Sequence, residues 1–137
     1  YGVIDLDTGQ GKLCQAGHPT PFIVSPAGEV NAVGNGGAPV GLMPDLSWTD
    51  VPFVLKSGER LCLFSDGITE CENPGGEQFG QLRLQRWLRD SNGLALEALL
   101  PQFGHYLTHW HSGENAEQHA MADDVSLLII ERKGDTE

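Results

Sequence analysis

Two aspartates from distant parts of the sequence, Asp66 and Asp123, are candidate metal ligands. Asp66 closes the apolar run of LCLFSDGITE, residues 61–70, and Gly67 behind it is expected to permit the tight turn that presents the carboxylate. Asp123 and its neighbour Asp124 precede the apolar segment VSLLII. Hard divalent cations bind aspartate oxygens, and a bound cation can lower the pKa of a water molecule and aim it at phosphorus. These residues are therefore suited to metal-assisted phosphoryl hydrolysis.

The same aspartates also have a purely structural explanation. An Asp-Gly pair after a strand is a common turn, and acidic residues in front of a strand often only face water. The motifs taken alone leave both interpretations open.

Two apolar segments are expected to position these carboxylates. Arg60–Ser65 and Val125–Ile130 are predicted to be central strands, and apolar residues on both faces of the first indicate that it is covered from both sides. If the two strands pair antiparallel, the end of the first lies beside the beginning of the second. Asp66 would then lie beside Asp123 and Asp124 at one edge of the sheet.

The other elements give an α+β pattern with helices covering the sheets. Two hairpins, Tyr1–Asp7 with Leu13–Ala16 and Phe22–Ser25 with Val30–Val33, are predicted to form an antiparallel meander. A further strand is predicted at Val51–Leu55. Helical spacing is present in Glu77–Asp90 and from Leu96 to Trp110, with a polar loop expected at 111–120. Pro101 either kinks one helix or opens a second at its first turn, and the second arrangement is favoured.

Length, charge and cysteine content limit the function classes. The 137 residues suit one domain, and the net charge of −11 disfavours nucleic acid and anionic membranes as partners. Three cysteines without a C-x-x-C pair, no apolar run of membrane-spanning length and no signal pattern indicate a cytoplasmic protein. The start, YGVIDLD, lacks a methionine and already has a strand pattern, so we interpret it as a cut through a larger protein.

Three other phosphate or nucleotide sites are excluded by their motifs. A cysteine-based phosphatase needs an arginine six residues after the cysteine, where Thr20, Ile68 and Glu77 stand. Leu6 occupies the first glycine position of a P-loop, and Pro39 occupies the third glycine position of a dinucleotide fingerprint.

Histidines and tryptophans at helical spacing are expected to be structural. His105 and His109 have zinc-compatible spacing, but Tyr106 replaces the glutamate of a zinc protease and solvent-facing histidines are the expectation. Trp87 and Trp110 are predicted to be core anchors, with a partner-facing role as the alternative.

Five ordered motifs together resemble one family. They are AGHPTPF at 16–22, APVGLMPD at 38–45, LKSGERLCLFSDGITE at 55–70, GEQFG at 76–80 and ADDVSLLII at 122–130. In this order the sequence resembles the SpoIIE-type branch of the PPM (PP2C-like) protein phosphatases, over all but residues 94–119 and the tail. The resemblance implies an α-β-β-α sandwich, with residues 1–131 as the C-terminal part of a phosphatase domain and 132–137 as a charged tail.

The resemblance assigns roles residue by residue. Asp66 matches the metal-binding residue of the family's Asp-Gly motif, and Asp123 matches the metal-binding first residue of the pair before the last strand. Asp124 is a secondary candidate, since neighbouring strand residues point to opposite faces and only one of the pair should reach the ion. His18 lies in a family motif, where a structural role in the turn is favoured over general acid catalysis.

The implied activity is hydrolysis of phosphoserine or phosphothreonine by water activated between two Mn²⁺ or Mg²⁺ ions, without a phosphoenzyme. The implied substrates are bacterial regulators of the anti-sigma-factor-antagonist type, and an upstream receiver or sensor domain is expected. The alternative is a non-catalytic PPM-like interaction module or adaptor in sigma-factor control.

One expected part of the metal site is not in this sequence. The family's N-terminal Asp motif would precede Tyr1, and Asp5 and Asp7 do not replace it because they match a later part of the family pattern. The chain then carries half of the expected metal ligands, and we expect no turnover by residues 1–137 alone. A sheet edge left open in this way is prone to association, with a homodimer as one outcome.

Overall fold

The computed structural model describes residues 1–113 and 124–134. The strands are β1 (Gly2–Ile4), β2 (Gln10–Leu13), β3 (Phe22–Val24), β4 (Val30–Ala32), β5 (Val51–Val54), β6 (Arg60–Phe64) and β7 (Leu127–Glu131). The helices are α1 (Asp66–Thr69), α2 (Gly80–Asp90) and α3 (Leu96–Ser112). Most predicted segments form an element of the expected type, with bounds that differ by a few residues. The prediction of a strand at Leu13–Ala16 is wrong for residues 14–16, because β2 ends at Leu13 and begins at Gln10.

The strands form two antiparallel sheets. One has the order β1-β2-β5 and the other has the order β4-β3-β6-β7. The β1–β2 turn is closed by the Asp5 carboxylate, which accepts hydrogen bonds from the backbone and the hydroxyl of Thr8. Gly9 in this turn has φ of 73°, and a Cβ there would lie 2.2 Å from the carbonyl oxygen of Leu55, so a side chain is excluded.

The two predicted hairpins do not form one meander, and this prediction is wrong. β2 pairs with β5, whereas β3 pairs with β6, so each hairpin belongs to a different sheet. The pairing of β6 with β7 is antiparallel as predicted. Of the two strands that were predicted to be central, β6 is central and β7 is not, because β7 forms the end of the four-stranded sheet among the described residues.

Strand β6 is covered on both faces, as the sequence predicts. Cys62 and Phe64 belong to the larger core cluster, which the four-stranded sheet shares with the helices. Leu61 and the half-buried Leu63 belong to a second cluster, formed with residues of the three-stranded sheet such as Phe53. Successive strand residues point to opposite faces, so one apolar strand serves both cores.

Helices α2 and α3 cover the outer face of the four-stranded sheet. Leu84 and Leu88 of α2 and Leu99, Phe103 and Leu107 of α3 are all buried in the larger core. The half-buried Trp87 and Trp110 pack against the same core, which confirms their predicted role.

Helix α3 continues through Pro101 and ends at Ser112, so the favoured prediction of a second helix starting at Pro101 is wrong. The proline lacks the N–H that would bond to residue 97, but its ring is exposed on the solvent side. Burial of the leucines and Phe103 on the opposite face holds the helix together across this gap. Residues 111 and 112, predicted to be loop, extend the helix, and 114–120 lie outside the described residues.

The architecture has the predicted α+β class. Helices, four-stranded sheet and three-stranded sheet lie in succession, which gives three layers of the expected four-layer sandwich within the described residues. In the described ranges, no helix is long and apolar enough to cross a membrane. The division into a domain and a tail at residue 131 stays a prediction, although the Arg132 guanidinium donates to the carbonyl of Asp7 at 2.6 Å.

Candidate metal and phosphate site

The ends of β6 and β7 meet where the sequence predicts. Phe64 pairs with Leu127 in the last register position of the two strands. One residue further, the backbone N–H of Ser65 donates to the carbonyl of Ser126 at 3.0 Å. The Ser65 hydroxyl donates to the backbone carbonyl of Asp124 at 3.0 Å and accepts the N–H of Ser126 at 2.9 Å. These bonds fix the segment carrying Asp66 to the segment carrying Asp124.

Asp66 is the first residue of helix α1 and is exposed. Its Oδ1 accepts the N–H of Gly67 at 3.1 Å, which leaves carboxylate lone pairs directed to solvent. Gly67 is a buried helical residue and not the tight turn that we predicted. The chain changes direction through Ser65, which is extended, and then through α1 itself, so the carboxylate is presented by a helical turn.

Asp123 lies outside the described residues, so its predicted position beside Asp66 stays a prediction. Asp124 is described and exposed, and its backbone lies within hydrogen-bonding distance of Ser65. The pairing of β6 with β7 therefore supports the prediction that the two segments meet, and it does so for the backbone as far as Asp124.

His18 is held by a bend next to this strand edge. Gly17, which precedes it, has φ of 89° and donates its N–H to the carbonyl of Gly37 at 2.9 Å. A Cβ on Gly17 would lie 2.8 Å from Cγ of Pro39, so the glycine-rich loop of residues 34–41 packs directly against the bend. The Nδ1 atom of His18 lies 2.7 Å from the carbonyl oxygen of Pro19.

Gln15 connects this bend to the loop and was missed by the sequence analysis. It is 4% exposed, and its Nε2 donates to the carbonyl of His18 at 3.0 Å and to Oγ1 of Thr20 at 3.2 Å. Its Oε1 accepts the N–H of Gly36 at 2.9 Å. A polar residue just after the strand and before a glycine was the available signal, since buried amides usually bond to irregular backbone.

One open cleft contains both His18 and Asp66. It has a volume of about 460 Å³ and is lined by Gly17, His18, Pro19, Leu63, Phe64, Ser65, Asp66, Ser126, Leu127 and Leu128. No lysine or arginine is among these lining residues, so among them only His18 can carry a positive charge. The cleft thus places a carboxylate and an imidazole at the end of a doubly covered strand.

The described donor set fits a hard cation in part. Asp66 supplies exposed carboxylate oxygens, which Mg²⁺ and Mn²⁺ accept alongside waters and substrate phosphates. Within 1–113 and 124–134, no group of three or more His, Cys, Asp or Glu side chains is arranged to hold a metal ion. A complete site therefore needs further ligands, and Asp123 is the one that the sequence predicts.

Asp5, His105 and His109 lie outside this site. The pKa of the Asp5 carboxyl is lowered by its hydrogen bonds to Thr8, so Asp5 is committed to the β1–β2 turn. His105 and His109 are exposed on α3, in agreement with the expectation that they face solvent.

A family model described as Stage II sporulation protein E (SpoIIE) matches residues 1–133. A curated relative, Protein IcfG of Synechocystis sp., is 34% identical over 88 residues, which are 64% of this chain and 14% of that protein. The chain thus spans a small part of this relative's length.

Solved phosphatase domains share the fold. The phosphatase domain of SpoIIE from Bacillus subtilis superposes with a TM-score of 0.71 and 20% identity over all of this chain and 59% of its own. The SiaA-PP2C domain of Pseudomonas aeruginosa gives a TM-score of 0.74 and 21% identity, over 90% of this chain and 47% of its own. A Mycobacterium tuberculosis protein, Rv1364c, with RsbU and RsbW domains gives a TM-score of 0.73 and 23% identity. This match covers 99% of the present chain and 37% of the Rv1364c chain.

Proposed function

The chain belongs to the SpoIIE family, and from this premise we propose that it contributes to a metal-dependent phosphatase acting on phosphoserine or phosphothreonine of a bacterial regulatory protein. The observation that carries the proposal is the shared cleft of Asp66 and His18 at the paired ends of β6 and β7. The proposed substrate is of the anti-sigma-factor-antagonist type, and an upstream receiver or sensor domain is the proposed source of control.

Asp66 is the proposed metal ligand among the described residues, and Asp123 is the proposed second one. Bound Mn²⁺ or Mg²⁺ would supply Lewis acidity and a nucleophilic water at neutral pH. The exposed Asp66 carboxylate needs no rearrangement to bind a metal ion, because among the described residues it accepts a hydrogen bond from the adjacent Gly67 N–H alone.

The protein groups around Asp66 are suited to position a phosphate ester. Phe64 is buried and fixes the end of β6, while Ser65 holds β6 and the segment before β7 together. Catalysis of phosphoryl transfer depends mainly on positioning and electrostatic stabilisation, so a rigid strand end is a suitable support.

The chain spans 59% of the B. subtilis SpoIIE phosphatase domain, so the activity is proposed for the full-length gene product. We propose that residues 1–137 alone have no turnover, because the described residues do not provide a complete metal site. Robust Mn²⁺-dependent hydrolysis by the isolated chain would show that this expectation is wrong.

The test is hydrolysis of a phosphoserine peptide by the full-length gene product, measured as released phosphate with Mn²⁺ and with EDTA. We expect EDTA to abolish activity and Asp66→Asn to lower kcat by more than about 100-fold, since even outer-shell changes cost up to that much. Asn keeps an oxygen that can accept the Gly67 N–H, so the fold should be preserved. Asp90→Asn, at the exposed end of α2, is the matched control and should keep full activity.

Two results would decide against the proposal. Activity that survives both EDTA and Asp66→Asn would exclude the metal mechanism at this site. A folded, metal-loaded wild type without activity on any phosphoserine or phosphothreonine peptide would support the non-catalytic adaptor instead.

A further inference from the structure

We propose that residues 40–43, the apolar tip of the loop that precedes β5, form the docking surface for a folded phosphoprotein substrate and contact an apolar patch beside its phosphoserine. This inference rests on the proposed phosphatase function and adds a point of contact outside the cleft of Asp66. It gives a role to the motif APVGLMPD, none of whose residues is among those that line this cleft.

The tip exposes three large apolar side chains within four residues. Val40, Leu42 and Met43 are 75%, 62% and 57% exposed. Gly41 between them has φ of 82°, and a Cβ on this residue would meet no described atom within 4 Å. Single exposed apolar residues are ordinary, whereas a contiguous apolar patch is typical of a surface that binds another protein. The tip has this composition, and the space beside it is open among the described residues.

The base of the loop is fixed by hydrogen bonds on both sides. The indole N–H of Trp48 donates to the carbonyl of Ala38 at 2.8 Å. On the other side, the N–H of Gly36 donates to Oε1 of the buried Gln15 at 2.9 Å. Apolar side chains on a preorganised backbone lose less entropy on binding than those on a segment that must first be ordered. The tip is therefore suited to act as a binding platform.

The loop contacts the wall of the Asp66 cleft. Gly17 lines that cleft, and its N–H donates to the carbonyl of Gly37 at 2.9 Å. Pro39 lies next to Val40 in the chain and packs against Gly17, where a Cβ would be 2.8 Å from its Cγ. The tip thus continues from the edge of the cleft. A folded protein whose phosphoserine enters the cleft is large enough to contact both, and this continuity selects the phosphoprotein substrate as the occupant.

The distribution of charge also favours an apolar contact. The chain has a net charge of −11, and residues 34–50 contain two aspartates and no lysine or arginine. The residues that line the cleft contain no lysine or arginine either. A phosphorylated protein therefore gains little from side-chain charges here, so affinity beyond the contact of its phosphate with a metal ion must come from buried apolar area. The tip supplies that area.

The test compares a folded and a short substrate of the Mn²⁺-loaded full-length gene product. The folded substrate is a phosphorylated anti-sigma-factor antagonist encoded by the same genome, and the short one is a peptide of the residues next to its phosphoserine. The double variant Val40→Ser with Leu42→Ser removes apolar area at exposed positions, so the fold should be kept. We expect KM for the phosphoprotein to rise by about 10-fold or more at unchanged kcat, while both constants for the peptide stay within about 2-fold.

Two control variants and a salt series separate apolar docking from other effects. Val40→Ile with Leu42→Met keeps the apolar area and should have the KM of wild type. Leu82→Ser removes a similarly exposed apolar side chain from α2 and should change the kinetics of neither substrate. The ratio of KM between the serine double variant and wild type should not fall as salt is added, because salt screens contacts between exposed charges and not apolar ones.

A rise in KM confined to the phosphoprotein, with the conservative double variant like wild type, supports the docking surface. Unchanged KM overturns it, as does a wild type whose kcat/KM for the phosphoprotein is no higher than that for the peptide. Both of these results leave the phosphatase proposal standing. If wild type has no metal-dependent activity on either substrate, the proposed function fails and the docking surface fails with it.

The two other occupants of the tip give different results. If the tip packs against another part of the full-length protein, the serine double variant will have a lower denaturation midpoint and equal losses on both substrates. If a second copy occupies the tip, the double variant will have a smaller sedimentation coefficient than wild type. Either result would overturn the assignment of the tip to the substrate.

Discussion

Ser65 and Asp124 are joined side chain to backbone at the ends of two strands that are far apart in the sequence. The Ser65 hydroxyl donates to the Asp124 carbonyl at 3.0 Å, and its oxygen accepts the N–H of Ser126 at 2.9 Å. One hydroxyl thus ties the residue before Asp66 to the residue after Asp123. If Asp66 and Asp123 hold a metal ion, as proposed, this connection would help to set the distance between their backbones.

Ser65→Ala should weaken Mn²⁺ binding by about 10- to 100-fold, the usual effect of losing an outer-shell contact. The variant keeps both aspartates in the sequence and removes the two hydrogen bonds of the Ser65 hydroxyl, while the backbone bond from Ser65 N–H to the Ser126 carbonyl remains. The measurement is isothermal titration calorimetry on the full-length gene product, with Ser57→Ala in the exposed β5–β6 turn as the control. Equal affinity in wild type and Ser65→Ala would show that the connection does not position the ligands.

Gln15→Leu should lower both stability and activity. Leucine fills the buried space but leaves the N–H of Gly36 and the carbonyl of His18 without their partner, at a cost of about 1–3 kcal/mol for each group that stays buried. Chemical denaturation should show this loss, and kcat on a phosphoserine peptide should fall because the bend that lines the cleft with Asp66 is held less firmly. Gln10→Leu, on the exposed start of β2, is the control and should change neither quantity.

Arg60 and Glu131 form an ion pair that stabilises the attachment of the helices to the sheet. Nε of Arg60 lies 2.6 Å from the Glu131 carboxylate, and its other nitrogens donate to the carbonyls of Asn92 and Leu94 between α2 and α3. Arg60→Met should destabilise the domain by about 3 kcal/mol, because it leaves a half-buried carboxylate and two carbonyls without their donor. Chemical denaturation provides the measurement.

The double variant Arg60→Met with Glu131→Leu tests the origin of that cost. Removing both charges should recover part of the stability lost in Arg60→Met, since the unpaired carboxylate is then gone. A double variant that is no more stable than Arg60→Met would show that the unpaired carboxylate does not cause the loss, which would then come from the carbonyls of Asn92 and Leu94.

The buried thiol of Cys62 should make the domain less stable at high pH. Burial raises the pKa of its thiol from 9.0 to about 12, against a smaller lowering by the charge of Arg60. The folded state therefore keeps its proton above the pH at which the unfolded thiol ionises. The associated stability is fully present below pH 9 and is lost as the pH rises from about 9 to about 12.

The measurement is the free energy of unfolding of wild type and Cys62→Val at pH 8 and pH 10. Wild type should lose about 1.4 kcal/mol more than Cys62→Val between the two values, because one pKa unit corresponds to that amount. Valine has no ionisable group at this position, so it removes the contribution of Cys62 and leaves other titrating groups in place. Parallel losses in the two proteins would contradict the assigned cause.

The sequence determined the local elements and one long-range contact. Alternation and helical spacing identified the strands and helices, and the two most apolar segments identified the β6–β7 pair, because local patterns decide which faces of an element must be buried. The same reasoning located Asp66 at the end of the pair. The ordered motifs indicated the family.

Only the tertiary structure decided the assignment of each hairpin to a sheet. Turn chemistry fixes a hairpin, but its outer partners, β5 for one and β6 for the other, are chosen by burial between distant segments. The course of the chain at Pro101 could not be predicted from local preference either. Proline favours the start of a helix, but the packing of Phe103 and its neighbours against the core keeps α3 continuous.

The position of His18 in the cleft is another feature that the sequence alone did not predict. From the sequence it was a turn residue, and its place beside Asp66 depends on Gln15, Gly17 and the glycine-rich loop, which meet only in the folded chain. The sequence therefore determined the residue types available for phosphate chemistry. The tertiary structure decided that a carboxylate and an imidazole share one cleft, because that proximity is set by strand pairing and loop packing and not by spacing along the chain.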